Sequence, residues 1–366
     1  MSSNPHTPAD VAAAVERLAP AAWAEEWDNV GWLVRRDIVP DGPLRVILSL
    51  DPVDPEWARG AGFHVNVAHH PTPFRPLRGL DESTWAARAW AAGLNFIAAH
   101  TNLDVAPGGV NDALVEALGL EDARPMVPSP QARLVKFVTF VPPDHLESVR
   151  MACAAAGAGA IGNYNECSFA SPGAGTFRPL PGSDPFTQTP VGDLERAEEA
   201  RLEMIAPAHL QEAIVAAAKA AHPYEEMAFD VIPLSNLDPR VGMGRIGALP
   251  EPMPLDDFAA HVSRRLGTAR ISVSGPAKDV HTVAVMGGSG GKYFNGARAA
   301  HAYVTGEVGH HDAMDAAALG LCLIDAGHFA TERPVLARLK SALGSALPNA
   351  EFSIADESDP LRRAAV

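Results

Sequence analysis

The chain has 366 residues, 47% apolar and 20% charged, with 44 acidic and 29 basic side chains and a formal net charge of −15. That length suggests two or three domains at about 100–200 residues each. An acidic surface whose basic residues cluster only in pairs (Arg35 with Arg36, Arg264 with Arg265, Arg362 with Arg363) makes direct nucleic-acid binding an unfavoured expectation. Three scattered cysteines, Cys153, Cys167 and Cys322, form neither a disulfide framework nor a CxxC metal motif. With no charged-then-apolar leader and no apolar run of about 18 residues, a cytoplasmic protein without a membrane span is expected.

Along the chain, Thr7, Pro8 and Asp10 read as a helix start, with Val11, Val15 and Leu18 on one face. Trp27-Asp28-Asn29-Val30-Gly31 reads first as a turn held by an Asx hydrogen bond. Residues 44–50 form an apolar strand ending at Asp51, and 54–61 a short helix. Residues 63–68 form a buried strand that delivers His69 and His70 before Pro71 stops it. Ser83 is expected to cap a helix through 92. A strand at 95–99 then closes on His100-Thr101-Asn102-Leu103-Asp104. Pro107-Gly108-Gly109 turns into a helix over 110–118, with Gly119 as its stop. Strands alternating with helices imply a parallel sheet with polar tips along one edge.

Residues 127–130 read as a linker. Beyond it come a strand at 134–141, a helix at 143–156, an aperiodic stretch at 157–192, a strand at 199–205, a helix at 207–221 and a strand at 228–234. This texture marks an α+β insert at 131–237, followed by a turn-rich junction at 235–247. The flanking segments, 1–130 and 238–366, then form one discontinuous α/β core. In the last part, a strand at 280–286 meets the glycine-rich turn 287–291. That turn reads as a tight structural turn or, with Lys292 or Arg75 near, as an anion cradle. A helix is expected at 292–300, a strand at 302–305, a helix opening near His310 and His311, and a strand at 321–324. The last strand leads to Asp325-Ala326-Gly327-His328, with Thr331 capping a helix that begins near Glu332 and runs to 343.

His69, His70, Asp104, His328 and Glu332 all follow predicted strands. Nitrogen and carboxylate donors without thiolate suit Zn, Mn or Fe. Three histidines and two carboxylates are too many for one open zinc and about right for two cations sharing a carboxylate. His311 is a candidate general acid/base, although an ordinary helix-start histidine fits as well. His100, Asp28 and Asn29 read as support for a ligand or as turn and core residues.

Several motifs together are specific. They are Trp27-Asp28-Asn29-Val30-Gly31, Ala68-His69-His70-Pro71, His100-Thr101-Asn102-Leu103-Asp104 with Pro107-Gly108-Gly109-Val110-Asn111, and His222-Pro223-Tyr224-Glu225-Glu226. Further on come Gly244-Arg245-Ile246-Gly247, Gly287-Gly288-Ser289-Gly290, and Asp325-Ala326-Gly327-His328 with Thr331-Glu332. On these the chain resembles, nearly end to end, the GTP cyclohydrolase I type 2 homologues, also called Nif-three-like proteins.

The resemblance implies a Nif-three-like α/β core of parallel or mixed sheets with flanking helices. It implies two divalent metal ions per subunit on His69, His70, Asp104, His328 and Glu332, and a ring-shaped homohexamer. Asn163-Tyr164-Asn165-Glu166-Cys167-Ser168-Phe169 and Gly175-Thr176-Phe177-Arg178-Pro179 match a long form whose insert resembles the PII/CutA module. Two departures stand out. Thr305-Gly306-Glu307 replaces Thr-Gly-Asp and is expected to alter a contact to His311, and Pro52 follows Asp51. The expected activity is metal-dependent hydrolysis, cyclohydrolase-like or phosphoesterase-like. A non-enzymatic metal- or metabolite-binding regulator or metal-insertion protein is the alternative, and a transcription-linked interaction scaffold the third reading.

Overall fold

The structure is a computed structural model that describes residues 6–75, 79 and 81–361. Arg362 and Arg363 lie outside the described residues. The chain divides into two compact units, Met1–Gln131 with Pro239–Val366, and Ala132–Asp238.

Helix α1 (Pro8–Leu18) starts in a reciprocal cap: the Asp10 amide donates to Thr7 Oγ1, and the Thr7 amide donates to the Asp10 carboxylate. Strands β1 (Gly31–Val34) and β2 (Arg45–Ser49), helix α2 (Pro55–Gly60), strand β3 (Val65–Ala68), helix α3 (Trp85–Ala92) and strand β4 (Asn95–Ala98) follow. The cap of α3 is Thr84, whose hydroxyl accepts from the Ala87 amide. Ser83 instead bonds to Asp81, so the expected Ser83 cap is off by one residue. Helices α4 (Thr101–Val105) and α5 (Val110–Leu118) come next, with Gly119 ending α5 at φ +71°. Strand β5 (Glu121–Pro128) takes in the first half of the expected linker. It pairs on one side only, so Pro125 and Pro128 sit on an edge where a missing N–H is tolerated.

The unit Ala132–Asp238 contains β6 (Arg133–Val141), α6 (Leu146–Ala155), β7 (Phe169–Phe177), β8 (Glu195–Pro207), α7 (Gln211–Ala221) and β9 (Phe229–Leu237). Among the described residues its sheet runs β7-β8-β6-β9, antiparallel throughout. Both helices pack on it through Val149, Cys153, Ile214 and Ala218. Strand β7 lies in the stretch read as aperiodic. It is a mostly exposed edge strand containing Pro172, Gly173 and Gly175, so no alternation marks it.

The chain then returns through β10 (Gly242–Pro254), α8 (Leu255–Leu266), β11 (Ser272–Ser274), β12 (Asp279–Val285), β13 (Ala302–Thr305), α9 (His310–Ala318), β14 (Cys322–Asp325), α10 (His328–Glu332), α11 (Val335–Ala346) and β15 (Glu351–Ile354). Thr331 does not cap a long helix. It lies inside α10, and Pro334 separates that turn from α11. A 3-10 turn at Gly291–Ala297 replaces the expected helix over 292–300.

Among the described residues, two mixed sheets build this unit. In the first, ordered β1-β4-β3-β2-β15, the last four are parallel and β1 is antiparallel. In the second, ordered β11-β14-β13-β12-β10-β5, the central β12, β13 and β14 are parallel and the outer strands antiparallel. The first sheet packs on α1, α5 and α11 through Val46, Leu48, Val67, Leu336 and Leu343. The second packs on α5 and α8 through Val283, Val304, Ile324 and Phe258. Helix α5 thus serves both, which brings the C-terminal ends of the two parallel cores together.

Candidate metal centre

The apolar run of β3 is buried along its length, and the Ser49 and Leu50 carbonyls accept from the His69 and His70 amides just beyond it. The backbone turns there, so both imidazoles reach the same side. Their ring centroids lie 5.0 Å apart. Strand β4 ends similarly, and α4 carries Asp104 back over the strand end. From the second sheet, β14 delivers α10, whose His328 and Glu332 are one turn apart.

These five side chains converge. Glu332 is buried, with Oε1 3.1 Å from His328 Nε2 and 3.5 Å from His69 Nε2, while Oε2 is 3.1 Å from His70 Nε2. His69 Nε2 is 3.7 Å from Asp104 Oδ1, and His70 Nε2 is 3.3 Å from His328 Nε2. His70, His328 and Glu332 each place a ligand atom within 4.8 Å of the other two, and so do His69, His70 and His100. His311 belongs to neither group. It is exposed on α9 with its ring against His310.

Each imidazole is oriented from behind. His69 Nδ1 is 2.8 Å from the Ala99 carbonyl, His70 Nδ1 2.8 Å from Asp51, His328 Nδ1 2.8 Å from Glu307 and His100 Nδ1 2.9 Å from Asp28. With Nδ1 donating to an oxygen, the neutral form of each ring carries its lone pair on Nε2, the arrangement that outer hydrogen bonds impose on metal-binding histidines. Glu307 therefore meets His328 and not His311, which corrects the expected consequence of that departure. Asp28 also accepts from the Thr101 amide at 3.0 Å and the Thr101 hydroxyl at 2.5 Å, so the Trp27-Asp28-Asn29 segment is fastened to the His100 turn.

A hydrogen-bond chain joins the sheets at the cluster. Asn111 Nδ2 donates to the Asp104 carbonyl at 2.8 Å, and Asn111 Oδ1 accepts from the Gly287 amide at 3.0 Å. The Gly288 amide donates to Thr331 Oγ1, next to Glu332. Gly288 sits at φ +64°, and a Cβ there would strike Glu332 Oε1. The Gly287, Gly288, Gly290 and Gly291 amides all donate within the fold, so the turn is structural and these four are not free to cradle an anion.

Burial opposes the charged form of His70, but Asp51 and Glu332 outweigh it and hold its pKa at about 10. Partial burial opposes the charged form of His328 as well, yet Glu332 and Glu307 raise its pKa to about 9. Burial by itself would raise Glu332, but His69, His328 and His70 hold its carboxyl well below the usual range. Burial raises Asp104 despite His69 beside it.

Whether the residues suit cations is tested by their unpaired atoms. Among the described residues, three of the five buried side-chain atoms without a hydrogen-bond partner are His69 Nε2, Asp104 Oδ1 and Glu332 Oε2. Leaving such groups unpaired costs about 1–3 kcal/mol each. All three aim at one cluster of imidazole and carboxylate donors, which divalent cations satisfy. The described chain therefore holds a group of His and Glu side chains able to bind a metal ion.

Residues 7–360 match the family model Duf34/NIF3 (NGG1p interacting factor 3). The chain belongs to the Duf34/NIF3 family. It is 39% identical over 325 residues to the Bacillus subtilis (strain 168) protein named GTP cyclohydrolase 1 type 2 homolog, covering 86% of each chain. Identity to the Mycobacterium tuberculosis protein of the same name is 37% over 359 residues, 93% of each. The fold superposes on the crystal structure of a Bacillus cereus protein related to NIF3 with a TM-score of 0.84 and 38% identity, covering 99% of this chain and 100% of that one. No helix among the described residues of this NIF3 chain is long and apolar enough to cross a membrane.

Sequence reasoning left His100 ambiguous and gave Asp51 and Glu307 no place behind a histidine. The available signal was a carboxylate at the end of each strand flanking a histidine-bearing one.

Proposed function

We propose that this NIF3 chain is a dinuclear divalent-metal-dependent hydrolase, with Zn, Mn or Fe held by His69, His70, Asp104, His328 and Glu332. The observation that carries the reading is the set of buried, unpaired donor atoms facing one another across Glu332. Two cations bound there would lower the pKa of water and polarise a carbonyl, ring or phosphoryl centre. Glu332 presents one oxygen toward His69 and His328 and the other toward His70, which suits a carboxylate shared by two sites. Asp51, Glu307 and the Ala99 carbonyl hold the imidazole faces in place. His311 stands outside this set, and its role as acid or base is a separate matter, tested by His311→Ala at unchanged metal content. The family resemblance supports a homohexamer and a cytoplasmic location for the working form.

Elemental analysis of the untagged protein tests the proposal directly. About two metals per subunit are expected, and none under any loading condition would sink it. Metal-stimulated turnover against nucleotides and phosphoesters should vanish in Glu332→Ala with the oligomer intact.

A second reading, a metabolite-binding regulator, draws on the unit Ala132–Asp238. Its antiparallel sheet, read as a PII/CutA-like inserted domain at 131–237, carries a cavity of about 730 Å³ lined by Phe140, Phe186, Glu199 and Tyr224. Tight ligand binding with no turnover would favour it.

A further inference from the structure

Two large aromatic side chains stand in water beside the histidine cluster. Trp27 is 50% exposed and Phe74 52% exposed. Their rings stack at 5.5 Å with an interplanar angle of 30°. Both present themselves to the His100 imidazole edge to face, at 6.0 Å and 76° for Trp27 and 5.9 Å and 67° for Phe74. The His100 ring in turn lies 5.2 Å from His69 and 5.7 Å from His70. The aromatic pair is therefore one imidazole away from the proposed metal ligands.

The position of the pair does not depend on the stack alone. Asp28, next to Trp27, is bonded to His100 and Thr101. Asn29 Nδ2 donates to the Pro73 carbonyl at 2.8 Å, next to Phe74. Two separate loops are thus pinned to each other and to the cluster, and each carries an aromatic ring at the pinned point. Core packing does not account for side chains that leave half their surface in water. A pair of pre-positioned π faces accounts for it if a flat ring lies against them, because stacking accepts any planar base and needs no directional hydrogen bond.

We propose that Trp27 and Phe74 form a stacking platform for a planar heteroaromatic ring whose polar end reaches the His69 and His70 cluster, and that this platform selects ring-bearing substrates. The assignment rests on the reading of the cluster as a metal-dependent hydrolase and names the substrate class for it.

The test uses the full-length, metal-loaded protein, with metal per subunit and mass in solution measured on the same samples. Calorimetric titration compares guanosine, adenosine and cytidine 5′-monophosphates with ribose 5-phosphate. The nucleotides should bind at least about tenfold more tightly than the ring-free phosphate, the effect of one stacked base. Trp27→Ala and Phe74→Ala should each erase most of that preference while leaving metal content, mass and ribose 5-phosphate affinity unchanged. Trp27→Phe should restore most of it. Equal binding of all four compounds, or no nucleotide binding to metal-loaded protein, overturns the platform. So does a Trp27→Ala protein of altered mass and unaltered nucleotide affinity, because the pair then packs between copies of the chain. Protein that takes up no metal yet prefers nucleotides through Trp27 would sink the metal reading and keep the platform. Two metals per subunit with no ring preference would do the reverse.

Discussion

Glu332 shows how a single residue acquires its character from its surroundings. In sequence it is a carboxylate at the start of a helix, where the dipole favours it. In the fold it is buried among three imidazoles, and those charges keep it ionised. The same contacts predict how metal uptake depends on pH. Before a cation binds, His70 with a pKa near 10 and His328 near 9 carry protons at pH 7. A cation must displace them, so loading should release protons and apparent affinity should climb as pH rises from 7 toward 9. Calorimetry in buffers of different ionisation enthalpy would read the release, and a pH-independent affinity would contradict it. Stability of the metal-free chain has the opposite sign. A raised histidine pKa stabilises fully below its ordinary value of 6.5, and the benefit disappears as pH passes through about 10. The metal-free Tm should therefore fall between pH 6 and 10 more than the metal-loaded Tm does.

Elements matter here mostly at their ends. The glycine turn after β12 was open to two readings, and its donating amides assign it to structure. Gly288→Ala should push Glu332 out of place and lower bound metal severalfold while the circular dichroism spectrum stays native; full metal content would show that the carboxylate can yield. Strand β10 is tied to the start of α5 by Arg245, which is buried and donates to Asp112, to the Gly242 and Gly244 carbonyls of its own strand and to the Ala106 carbonyl before α5. Arg245→Met should cost roughly 3 kcal/mol in denaturant unfolding, the low end for breaking a buried pair, because Asp112 retains some contact with water. Expectation and structure part company at edge strands. Strands β5 and β7 are mostly exposed and contain prolines or glycines, so the alternation that marks a half-buried strand is missing from them. Likewise Pro334 splits what periodicity suggests is one helix into α10 and α11.

For the whole molecule, the unit Met1–Gln131 with Pro239–Val366 is closed without the segment between its halves. Pro128 pairs with Gly242 across β5 and β10, and the Ser129 amide donates to the Val241 carbonyl at 3.1 Å. Replacing residues 132–238 with a short glycine linker should therefore give a protein that still unfolds cooperatively and binds the same metal per subunit. Loss of metal on deletion would mean that the middle segment supports the cluster.

What the sequence by itself determined is local. Runs of apolar residues stopped by Pro71, Gly119 or a polar cluster specify strand and helix ends, and the side chains placed there identify the donor chemistry. His69, His70, Asp104, His328 and Glu332 could be singled out because each follows an apolar strand, and the motifs around them carry the family resemblance. Only the tertiary structure decided that His70 and His328, 258 positions apart, stand 3.3 Å from each other. The same is true of Asp28, Asp51 and Glu307 behind the imidazoles, of Asn111 joining the two sheets, and of the water-exposed pairing of Trp27 with Phe74. Periodicity reports which face of an element is buried, but not which other element covers it. That choice is made by the packing of α5 against both sheets, a non-local interaction with no signature in any short window of sequence.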